Sequence, residues 1–311
     1  MNHSPARLKL SMTLIILAFL LAPLSSSSNV ARAQEQKRQG SETQAAGSPI
    51  PAIIDVGSSI LTSAARFVQA DPYAEFRAAR YSNAGLLNER DELKLGAQLH
   101  AEVLKRYKIV QEGQPRVSRI GQMVARKSLR PGLNYRFYVI REREINAFSG
   151  PGGYVYVTTA LLKLANDDEL ASVLSHEVGH VVARHSLKAL QNSQALGGIA
   201  DLVGSITGIA GETAEELGKT AAQIVGSGLL AVHSREEERE ADFLGVRAMP
   251  KAGFNPEGMV TMFEQLQSLS RSDSSILGTL FSDHPDVQER IDNTRYEISR
   301  MRRNASGAGG R

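Results

Sequence analysis

The 311-residue sequence has no cysteine and no tryptophan, and aromatic residues make up only 5% of it. Without cysteine there is no disulfide, no thiolate nucleophile, no thiolate metal ligand and no lipid anchor on an N-terminal cysteine. Any metal site must therefore be assembled from His, Asp and Glu. Acidic residues are missing from the first 33 positions, where Arg7, Lys9 and Arg32 stand alone. Those three cations account for the whole formal net charge of +3, and the remainder is neutral. A neutral chain without a nucleic-acid-binding motif gives no case for nucleic acid as a partner. No run past residue 22 reads as a membrane span, which needs about 20 apolar residues.

What is present begins with an export pattern. Arg7 and Lys9 precede an apolar run from about Leu10 to Ala22, and Ala31-Arg32-Ala33 is an A-x-A cleavage pattern. Residues 1–33 are thus expected to be a secretory signal peptide, which directs the protein to the periplasm. An uncut signal would instead leave it tethered, and peripheral membrane contact is compatible with either fate. Residues 34–84 read as a linker and N-terminal arm, rich in Gln, Ser, Gly and Ala as far as residue 50. At 42% hydrophobic and 22% charged residues, the chain can build a globular domain, expected over 85–303. A disordered tail is expected over 304–311.

Apolar spacing predicts helices over 88–107 and 116–126. Alternation predicts a strand at 135–140, an extended piece at 145–148, a turn at Pro151-Gly152-Gly153 and a strand at 154–158. Asn166 with Glu169 is a capping-box pattern that opens a helix to about Leu190, and Ser234 with Glu237 opens another to about Met249. Asn255-Pro256 and His284-Pro285 open two more, and 191–232 reads as helical pieces broken by mobile loops. The expected class is α+β, mainly helical, with a small antiparallel sheet.

His176-Glu177-Val178-Gly179-His180 is an HExxH sequence on a predicted helix. Four helical residues leave the two imidazoles about 40° apart on one face, one turn apart, which suits two ligands of a tetrahedral zinc. Glu177 stands beside them, where it can take a proton from water. Leu170, Leu174, Val178 and Val181 form an apolar stripe, and Gly179 allows another backbone to approach. A catalytic zinc needs a third protein ligand and an open position. His185, five residues after His180, is rotated by about 140° in a continuous helix and is read as an ordinary polar residue. The acidic run Glu236–Asp242 is the better source. Glu238 and Asp242 are four apart, so one can bind metal while the other accepts a hydrogen bond from a ligand imidazole.

HEVGH, then SREEEREAD, then His284-Pro285 with Arg290 six residues on, resembles metallopeptidase family 48 over roughly residues 85–300. The resemblance implies a zincin-like metalloprotease domain with its sheet beside the HExxH helix and one zinc per chain. It implies that Glu238, rather than Glu240, is the third ligand and that Asp242 is the acidic partner behind a ligand. It also implies that the strand after Pro151-Gly152-Gly153 borders the cleft, where an extended peptide adds as a further strand, and that Asn146 bonds to substrate or oxyanion. His284 is implied as a fourth ligand that holds the enzyme closed, or as a stabiliser of the transition state. Arg290 is implied as support for that loop or for the oxyanion. His233 carries no role, and His100 is read as a surface or helix-packing residue. The expected activity is zinc-dependent endopeptidase action on misfolded or misassembled envelope proteins. The alternative is a chaperone-like envelope-assembly factor whose protease site is self-inhibited.

Overall fold

Side-chain caps decide where the helices begin. In the computed structural model, which describes residues 71–78, 87–192, 214–228, 230–272 and 287–308, Asn88 accepts from Asp91 N and starts helix α2 (Glu89–Arg106), after a short α1 (Ala74–Ala78). Pro115 lies in the first turn of α3 (Gln114–Ala125). The sheet follows: β1 (Arg136–Ile140), β2 (Ala147–Gly150), a 3-10 turn (Pro151–Gly153) and β3 (Tyr154–Thr158). Thr158 caps α4 (Thr159–Leu164), and the expected Asn166–Glu169 box opens α5 (Asp167–Ala183). Then come α6 (His185–Asn192), α7 (Ala214–Ser227), α8 (Arg235–Lys251), whose Ser234–Glu237 box is complete, α9 (Glu257–Ser272) and α10 (Val287–Ala308). The expected signal peptide, His284-Pro285 and residues 193–213 lie outside the described residues. Among the described residues no helix is long and apolar enough to cross a membrane.

Three expectations need correction. The sheet is mixed, in order β1-β3-β2, with β3 parallel to β1 and antiparallel to β2. Alternation marks strands but carries no direction, and here β1 and β2 leave a one-strand gap that β3 fills. The helix expected to run from Asn166 to Leu190 is broken at Arg184, which takes the left-handed conformation at φ 58. The last helix runs through Asn304 to Ala308, so the tail expected from 304 is helical that far.

The HExxH helix α5 is the centre of the core. Leu170, Leu174, Val178 and Val181 are all buried, together with residues of α3, α8, α9 and the sheet. Its contact with α8 is made backbone to backbone. A Cβ on Gly179 would lie 2.8 Å from Ala241 O, and one on Gly245 would lie 3.0 Å from His176 N. The two glycines thus let the helices approach at both ends of the HExxH segment. Gly179→Val is expected to force α5 and α8 apart, destabilising by about 1–3 kcal/mol because the clash is with main chain that cannot swing away. Thermal unfolding checks this, and a variant that melts with the parent would show that close approach is dispensable.

Beyond the pair, buried Glu92 of α2 joins this core to the turn before β3. It accepts from both terminal nitrogens of Arg130 at 3.0 Å, from Arg184 at 3.0 Å and from Gly152 N at 3.3 Å. Arg130 Nη1 also donates to Val181 O at 3.1 Å.

Candidate active site

Three of the expected residues converge. His176 and His180 of α5 bring their Nε2 atoms to 2.9 Å of each other. Glu238 of α8 places Oε1 3.2 Å from His180 Nε2 and Oε2 3.5 Å from His176 Nε2. All three side chains are buried, and the candidate ligand atoms lie within 4.8 Å of one another. Zinc–ligand bonds of about 2.0–2.1 Å need ligand atoms about 3.3 Å apart in a tetrahedron, so this spacing fits.

The protonation pattern fits as well. Asp242 Oδ1 lies 2.8 Å from His176 Nδ1. Burial alone would raise the Asp242 carboxyl, but the Arg290 guanidinium overrides that and holds it below the usual carboxylate range. An ionised carboxylate only accepts, so His176 donates from Nδ1 and keeps a bare lone pair on Nε2. His180 titrates well below the usual imidazole range, because of burial and then of the neighbouring His233 and His176. It is therefore neutral and able to act as a ligand.

Glu177 is buried too, and its Oε2 has no hydrogen-bond partner among the described residues. An unpaired buried carboxylate oxygen is costly unless something in function uses it. The buried carboxylates Glu238 and Asp242 share one buried guanidinium, Arg290, and a divalent cation at the ligand atoms would offset the excess negative charge.

Arg290, on α10, is engaged with carboxylates. Its Nε and Nη2 donate to Asp242 at 2.7 and 2.8 Å, and its Nη1 pairs with Glu238 Oε2 at 2.7 Å. The guanidinium thus lies behind the candidate ligands. Asn146 stands apart from the cluster. Its Oδ1 accepts from Ala147 N at 2.8 Å, and it lines a cavity of about 530 Å³ with Phe148, Ile140 and Val232. Val232 runs directly into His233 at the ligand cluster. Strand Tyr154–Thr158 is wholly buried between two neighbours, so it cannot receive a peptide, which corrects that expectation and leaves β1 and β2 as the edges of the sheet. His284 lies outside the described residues.

Sequence reasoning missed three residues around His180. His185 is buried, with its Nδ1 2.8 Å from His180 Nδ1 and its Nε2 2.9 Å from Glu240 Oε2. The His233 ring stacks on His180 at 3.9 Å between centroids. The break at Arg184 turns His185 back toward the ligands, and no glycine or proline signals it. His100 is a packing residue, as expected: its ring stacks on Tyr138 and Tyr154, and its Nδ1 meets Tyr156 Oη at 2.8 Å.

The profile of peptidase family M48 matches residues 111–298. Among curated relatives, metalloprotease YcaL of Escherichia coli (strain K12) is 32% identical over 168 residues, covering 54% of this chain and 63% of that protein. The mitochondrial metalloendopeptidase OMA1 of Schizosaccharomyces pombe is 32% identical over 176 residues, covering 56% and 50%. The beta-barrel assembly-enhancing protease of Escherichia coli (strain K12) is 30% identical over 173 residues, covering 54% and 35%. The chain spans less than two thirds of the length of each of these relatives. The family profile takes in most of the chain, including both helices that carry the converging ligands, so the chain belongs to peptidase family M48.

Proposed function

We propose that this chain is a zinc-dependent endopeptidase of the cell envelope that cuts misfolded or misassembled proteins. The observation that carries the reading is the convergence of His176, His180 and Glu238 beside Glu177, whose buried Oε2 has no hydrogen-bond partner among the described residues. His176, His180 and Glu238 would hold one zinc ion. Zinc, when bound, acidifies water and polarises a carbonyl. Glu177 takes the proton from water as the new C–O bond forms at the carbonyl carbon, then passes it to the amine nitrogen so that the C–N bond can break and the amine can leave. Asp242 keeps His176 in the ligating tautomer, and Arg290 keeps Asp242 ionised.

The substrate would lie extended along the outer edge of β2, displacing the contacts that Ser186 and the Asn146 side chain make there, and main-chain bonding of this kind accepts many sequences. Asn146, at the start of that edge, is the residue best placed to meet its backbone. The cavity beside it, walled by Ile140, Phe148 and Val232, offers room for an apolar side chain. Breadth of this kind suits unfolded protein as substrate. The export pattern at residues 1–33 supports an envelope location, and one relative's name ties it to β-barrel assembly.

The purified full chain is expected to carry one zinc per chain by elemental analysis and to degrade reduced casein. Removal of zinc with 1,10-phenanthroline should abolish turnover, and added zinc should restore it. Glu238→Ala should retain little zinc. A parent protein that cuts casein undiminished after its metal has been stripped would overturn the reading.

A further inference from the structure

The two imidazoles of the cluster are held from behind by different chemistry. His176 is backed by the buried Asp242–Arg290 pair. His180 is backed by His185, and His185 by Glu240. We propose that His185 and Glu240 are positioning residues that fix the tautomer and ring plane of His180, so that its Nε2 lone pair faces the metal. The proposal rests on the zinc-site reading above.

The direction of the hydrogen bonds follows from the end of the chain. The Glu240 carboxylate accepts and cannot donate, so His185 donates to it from Nε2 at 2.9 Å. In its neutral form His185 then has a bare Nδ1, placed to accept from His180 Nδ1 at 2.8 Å. That leaves the proton of His180 on Nδ1 and the lone pair on Nε2. The opposite direction would place a proton on His180 Nε2, in the 2.9 Å gap to His176 Nε2 where the metal belongs.

The relay is also oriented sterically. His233 stacks on His180 at an interplanar angle of 20°, which limits rotation of the ring. Glu240 keeps 14% of its side chain exposed, and Lys188 Nζ lies 3.9 Å away, so its charge is supported at the surface. His185 itself is fully buried, an expensive place for an imidazole that served packing alone. Such outer partners commonly set metal affinity by about 10- to 100-fold.

The test compares His185→Leu and His185→Gln in the full chain. Zinc affinity is measured by competition with a chromophoric chelator, and the melting temperature of each zinc-free form is recorded alongside. Leu fills the space but offers no acceptor, whereas Gln keeps a carbonyl oxygen that can accept from His180 Nδ1. The expected result is an inversion of order. Leu should weaken zinc binding by about 10- to 100-fold while leaving the zinc-free protein at least as stable as the Gln form. Gln should recover most of the lost affinity. If the Leu variant binds zinc as tightly as the parent, or if affinity simply follows zinc-free stability, the relay is refuted. A second zinc in the parent that is lost in both variants would also overturn it, since His180, His185 and His233 would then form a metal site of their own. A parent that binds no zinc at all would sink the metal-site reading, and the relay with it.

Discussion

Glu177→Gln is expected to slow peptide hydrolysis by about 10²- to 10⁴-fold, the usual contribution of a positioned general base. Zinc content should stay at the parental level, because Glu177 is not among the three converging ligands. The substitution is isosteric, and it removes a buried carboxylate whose Oε2 has no partner among the described residues. Thermal stability should therefore hold or rise, a separation that a merely structural role would not produce. Single-turnover rates on a fluorogenic peptide, with zinc measured in the same samples, check both halves. Hydrolysis at the parental rate would refute Glu177 as the general base, whereas a zinc-loaded parent that binds unfolded chains and hydrolyses none would favour the chaperone-like alternative.

Arg290→Met is the second large expected effect, and it falls on stability before activity. The guanidinium neutralises Asp242 and Glu238 from a buried position. Removing one partner of a buried ion pair leaves uncompensated charge and costs about 3–5 kcal/mol. In a domain of this size that corresponds to a fall in melting temperature of roughly 6–20 °C. The zinc-free protein should suffer most, because metal would otherwise neutralise Glu238. Arg290→Lys should recover part of the loss, since a lysine cannot make the bidentate contact. Equal melting temperatures for parent and Met variant, with zinc removed from both, would contradict the charge argument.

Much of the site was legible because its information is local. HExxH declares two imidazoles on one face by spacing alone, and Glu238 with Asp242 repeats that spacing on a second helix. The two capping boxes at Asn166 and Ser234 mark the starts of both helices, and both are complete in the structure. What escaped depends on relations between distant segments. Strand direction in the sheet is set by how β3 enters between its neighbours, and alternation has no sign. The 140° rotation that dismissed His185 assumed an unbroken helix, and Arg184 breaks it with a non-glycine residue at φ 58. His233 and Glu240 acquire meaning only once His180 and His185 are placed beside them. Arg290 could be singled out by motif, but which way its guanidinium points is decided by two buried carboxylates on another helix.

The reciprocal glycine contacts of α5 and α8 give the metal centre a stepwise register. Moving α8 by one residue would advance it about 1.5 Å and turn it about 100°, which would withdraw Glu238 and present Glu237 or Arg239 in its place. No gradual slide lies between these states, because Gly179 rests on Ala241 while Gly245 rests on Ser175 and His176. Ligand geometry is thereby indexed by main chain and is independent of the length of the connection between the helices.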